Sequence, residues 1–103
     1  MKHKRTKATD ISQAVRLRVY ERDGGLCIFC GRPGLPNMHY IGRAQGGLGV
    51  EENIITGCIE CHNAMDNGKD TRRSREMREY AERYLRSKYE EWSREKVVYN
   101  KWR

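Results

Sequence analysis

Cys27 and Cys30 form one Cys-x-x-Cys pair and Cys58 and Cys61 a second, with residues 31–57 between them. Four thiolates in two such knuckles suit a tetrahedral zinc ion, and Gly31, just after the first pair, lets the backbone turn around it. Four protein sulfurs leave no open coordination position, so this zinc is expected to be structural and needed for folding. The segment it would hold contains His39 and Asn53, and the second knuckle ends on His62.

The surrounding chain has to position these residues. At 103 residues it has room for one domain and buries little apolar surface without a staple. Its 21 Lys and Arg against 14 Asp and Glu give a net charge of +7 and a pI near 9.5, which favours a polyanionic partner, nucleic acid first. Neither a signal peptide nor a membrane-spanning run is recognisable, so a cytoplasmic location with reduced thiols and no membrane partner is expected, which favours metal ligation over disulfides.

Residues 1–9 read as a flexible basic lead. Asp10 is expected to cap a helix running to about Arg22, with Ile11, Val15 and Val19 four apart and Ala14 and Leu17 near the same side, and Gly24 and Gly25 ending it. A short strand over Met38–Ile41 and its return over Asn53–Thr56 flank a loop, Gly42–Glu52, whose four glycines and length suggest function. Cys58 should open a short helix that Gly68 ends. From Asp70 or Thr71, the spacing of Met77, Tyr80, Ala81, Tyr84, Leu85, Tyr89 and Trp92 predicts an amphipathic helix over about 71–95. Tyr40, Trp92 and Trp102 are read as packing residues.

The run His39-Tyr-Ile-Gly-Arg-Ala-Gln-Gly-Gly47, then Asn53, then Cys61-His62, framed by the two cysteine pairs, resembles the HNH nucleases, also called His-Me finger or ββα-metal nucleases. Tyr20-Glu-Arg-Asp-Gly-Gly-Leu-Cys27 is similar to that family's usual lead-in, and the resemblance covers roughly residues 14–68. It implies an α+β fold: a small ββα-metal domain with the four-cysteine zinc site, an N-terminal helix and a long C-terminal helix. The expected division is the lead over 1–9, the HNH domain over 10–70, and the helix and tail over 71–103 packed on it or extending from it.

The activity implied is metal-dependent hydrolysis of phosphodiester bonds in DNA, as an endonuclease or nickase. His39 suits the general base, because imidazole titrates near neutral pH. His62 fits the family's metal-ligand position, and Asp66, four residues on, falls on the same helix face and stands where the colicin-like branch has a second His. Together they would hold a catalytic Mg²⁺, Mn²⁺ or Ni²⁺. Asn53 fits a brace that bridges loop backbone groups and orients His39, and Arg43 could reach a phosphate oxygen. Met38 stands where many members carry a His or Asp ligand, which leaves the ion to His62, Asp66, water and substrate. Small phage HNH proteins often work beside the genome-packaging terminase, so the resemblance also implies terminase subunits as partners and the host cytoplasm as location. The other function class is a zinc-ribbon nucleic-acid binding module with vestigial catalytic residues.

Overall fold

A computed structural model describes residues 4–67 and 71–100. The fold is α+β: helices α1 (Lys4–Thr9) and α2 (Gln13–Asp23), strand β1 (Leu35–His39), strand β2 (Ile54–Gly57), then helices α3 (Ile59–Asn67) and α4 (Arg72–Lys88). Single 3₁₀ turns at Arg43–Gln45 and Arg94–Val97 complete the regular structure among the described residues.

The expected flexible lead differs most from its reading. Lys4–Thr9 is helical, and its end is seated on the central loop, where Gly49 N–H donates to Ala8 C=O at 2.9 Å. Met1–His3 lie outside the described residues. The cap of α2 is Ser12, whose hydroxyl accepts from Val15 N–H at 3.2 Å, so Asp10 does not serve there. Val15 and Val19 are buried as expected, whereas Leu17 is 54% exposed because it lies on the opposite face of the helix. Gly24, at φ 67°, ends α2 in the left-handed conformation that glycine adopts without strain.

β1 and β2 pair antiparallel, Met38 opposite Ile55 and His39 opposite Ile54. Alternation along each strand then separates two faces. Met38 and Ile55 enter the main core with Cys27, Cys61, Met65, Met77, Ala81, Leu85, Trp92 and Val97. His39 and Ile54 lie on the α2 side, where Ile54 packs with Val15 and Val19.

α4 begins on Thr71, whose hydroxyl accepts from Ser74 N–H at 3.0 Å; the alternative start Asp70 and the expected stop of α3 at Gly68 lie outside the described residues. It buries Ser74, Met77, Ala81 and Leu85 and ends at Lys88, a full turn and more before the expected 95. The chain then turns back so that Trp92 Nε1–H donates to Glu52 C=O at 2.7 Å and the Trp92 ring meets Tyr40 edge-on at 5.8 Å. Val97 C=O accepts from Leu48 N–H at 2.8 Å, and Tyr99 N–H donates to Gly46 C=O at 2.7 Å. Tyr40 and Trp92 are therefore packing residues, and Trp102 lies outside the described residues. Among the described residues no helix is long and apolar enough to cross a membrane.

Candidate functional site

The two knuckles converge. The Sγ atoms of Cys27, Cys30, Cys58 and Cys61 all lie within 4.8 Å of one another, Cys30 and Cys58 at 3.6 Å. A tetrahedral zinc ion about 2.3 Å from each sulfur would set the sulfurs about 3.8 Å apart, so the cluster fits a structural metal such as zinc. The first knuckle closes through Gly31 N–H to Cys27 C=O at 2.9 Å, with Gly31 at φ 78°. The second closes through Cys61 N–H to Cys58 Sγ at 3.4 Å, and three-residue spacing puts both sulfurs on one side of the start of α3. The Arg32 guanidinium donates to Cys30 Sγ at 3.4 Å and, with the Arg32 backbone, brings that thiol down to about 6. Cys30 thus supplies a thiolate at neutral pH, the form a metal binds. Burial pushes the Cys61 thiol up.

His62 follows Cys61 on α3 and is turned away from the cysteines, into an open groove of about 1100 Å³ that His39, Arg43 and Asp66 also line. The His39 Nε2 lies 2.9 Å from Thr9 C=O. A carbonyl only accepts, so Nε2 carries the proton and Nδ1 of the neutral ring keeps its lone pair. Burial holds the His39 pKa below its ordinary value; Arg43 and His62 push the same way, and the Thr9 carbonyl and Asp66 only partly oppose them. The ring is therefore neutral at pH 7 and able to accept a proton at Nδ1.

Asn53 is fully buried and its amide is fully used. Oδ1 accepts from Ile41 N–H at 2.9 Å, while Nδ2 donates to Ile41 C=O at 3.1 Å and Leu48 C=O at 2.9 Å. It ties Ile41, just before the glycine-rich loop, and Leu48, within it, to the residue that precedes β2, and it acts on the segment after His39 rather than on the ring itself. The loop closes only because Gly47 lacks a side chain: a Cβ there would lie 1.7 Å from Ile41 O. Met38 is wholly buried against Gly57, on the strand face opposite His39. Its thioether belongs to the core and has no access to the groove, so it bears on packing and not on metal affinity.

His62 Nε2 and Asp66 Oδ2 are 2.9 Å apart, as the four-residue spacing predicts. The Arg43 guanidinium is exposed and paired with the Asp10 carboxylate, so at rest it is held at the groove edge.

Two features escape the residue types. Thr9 contributes through a backbone carbonyl, which no side-chain pattern advertises. Arg22 and Asp23, inside the lead-in motif, form a buried hub. Arg22 donates to Asp23, to Glu51 C=O at 2.8 Å, to Ile54 C=O at 2.7 Å and to Tyr89 Oη at 2.9 Å. Asp23 also accepts from Thr56 N–H at 3.0 Å and from the Tyr84 hydroxyl. Burial alone would raise the Asp23 carboxyl, but the bonds from Arg22, Tyr84 and Thr56 outweigh it and hold its pKa below the usual range. The hub locks α2, β2 and the end of α4 together. No protein-family model and no curated protein matches this chain.

Proposed function

We propose that this protein is a divalent-metal-dependent DNA endonuclease or nickase of the HNH kind. The observation that carries the reading is a single groove holding a neutral imidazole with its Nδ1 free to take a proton, together with a His–Asp pair whose ligand atoms are 2.9 Å apart. Adjacent ligands on Mg²⁺ at about 2.1 Å lie about 3.0 Å apart, so His62 and Asp66 fit one such ion, and Mn²⁺ or Ni²⁺ would suit the same donors. When bound, the ion offsets negative charge on the scissile phosphate and the departing 3′ oxygen.

In this reading His39 Nδ1 takes the proton of the attacking water, while the Thr9 carbonyl keeps the opposite nitrogen protonated and the ring fixed. Asn53 holds the loop that shapes the groove, and Arg43 exchanges Asp10 for a phosphate oxygen. The four-cysteine cluster keeps α3, and with it His62 and Asp66, at a fixed distance from the hairpin. A terminase subunit as protein partner and the host cytoplasm as place of work follow from the resemblance to small phage HNH proteins and belong to the same proposal.

The test is conversion of supercoiled plasmid to nicked or linear DNA by the zinc-loaded protein with Mg²⁺, Mn²⁺ or Ni²⁺. Cleavage that Asp66→Ala and His62→Ala abolish supports the reading. A mobility shift of the same DNA without cleavage in any of the three metals selects the binding module instead.

A further inference from the structure

The groove carries more positive charge than the proposed chemistry uses. Arg78 is committed to Met65 C=O and the Ser74 hydroxyl, Arg94 to Glu82 and the Tyr40 hydroxyl, and Arg43 to Asp10. Arg16 and Arg83 also line the groove, and among the described residues neither guanidinium has a hydrogen-bond or ion-pair partner. The groove acids leave them so: Asp66 pairs with His62, Glu82 binds Tyr40 and Arg86, and Glu79, one turn before Arg83, forms no ion pair with it.

Arg16 stands on α2, which packs against the hairpin bearing His39, and Arg83 on α4, which packs against the helix bearing His62 and Asp66. Each half of the site thus has one unneutralised guanidinium on the helix that backs it. We propose that Arg16 and Arg83 are phosphate-binding residues that grip the backbone of duplex DNA on the two sides of the bond presented to His39, an assignment that rests on reading the groove as a nuclease site. Guanidinium forks match phosphate oxygens, and cations without an internal partner give up no ion pair to bind them.

Binding of a fluorescent duplex to the full-length, zinc-loaded protein, without added divalent ion, is measured across a KCl series. Arg16→Ala and Arg83→Ala should each make the slope of log K against log[KCl] shallower by about 0.9, and the double variant by about 1.8. Arg73→Ala, which removes an exposed charge on α4 outside the groove, should leave the slope unchanged. Unchanged slopes in the groove variants, an equal change in Arg73→Ala, or no binding by the parent protein would overturn the proposal. If the parent nicks plasmid while the groove variants keep its slope, only the phosphate grip fails. If the slopes shift as expected but no metal supports nicking, the grip stands and the nuclease reading fails.

Discussion

The proposed role of His39 as base depends on which nitrogen carries the proton and at what pH a second one arrives. The Thr9 carbonyl settles the first, and burial, reinforced by Arg43 and His62, settles the second by moving the ring pKa below about 6.5. The base form is then lost only as pH falls through that lowered value. The acid limb of the nicking rate, measured between pH 5 and 8, should lie below pH 6.5; a limb at pH 7 or above would argue against His39 as base. Asp23 carries a different burden, since Arg22 beside it is almost fully buried and has five donors to satisfy. Asp23→Ala leaves that cation without its carboxylate and should cost about 3–5 kcal/mol in urea unfolding at pH 7. That His39, His62 and Asp66 share one groove and that Asn53 braces the loop was legible in the sequence, because these are side-chain features whose spacing is local or framed by cysteines. Thr9 was not, because its contribution is a backbone oxygen. Arg22 and Asp23 were visible only as part of a motif, because their partners at Glu51, Ile54, Tyr84 and Tyr89 are brought in by the fold.

The elements differ from expectation where tertiary contacts overrule periodicity. The apolar stripe of α4 continues by count to Tyr89 and Trp92, yet Trp92 reaches Glu52 and Tyr40 only if the helix stops at Lys88. Of the two expected arrangements of the C-terminal segment, packed on the domain or extending from it, the described residues take the first, because Met77, Ala81, Leu85, Trp92 and Val97 share one core with Met38, Cys27 and Cys61. Removal of residues 71–103 would therefore unmake the domain rather than isolate a partner surface. α1 is helical and docked for a related reason: Gly49 lets the loop approach its end, and a Cβ there would lie 1.9 Å from Asp10 O. Gly49→Ala should push that end away, carrying the Thr9 carbonyl off His39. The expected result is a loss of about 1–3 kcal/mol, read from thermal melting, together with slower nicking.

For the whole molecule, a metal held by the four-cysteine cluster would make up for the apolar surface that a 103-residue chain lacks. Cys27 and Cys61 are themselves core residues, so the four-cysteine cluster and the hydrophobic core are one structure. Stripping the metal with a chelator should abolish the cooperative thermal transition, and restoring Zn²⁺ alone should recover it; an unchanged melting curve would show that the cluster is not structural. The net charge of +7 favours a polyanionic partner, and in the proposed reading His39 is the side chain that separates cutting DNA from merely holding it. The most direct measurement is the single-turnover nicking rate of supercoiled plasmid by the parent protein and by His39→Ala, both zinc-loaded, in the most active of Mg²⁺, Mn²⁺ and Ni²⁺. Nicking by the parent with a loss of about 10²–10⁴-fold in the variant is the predicted result. Equal rates, or no nicking by the parent in any of the three metals, would contradict it.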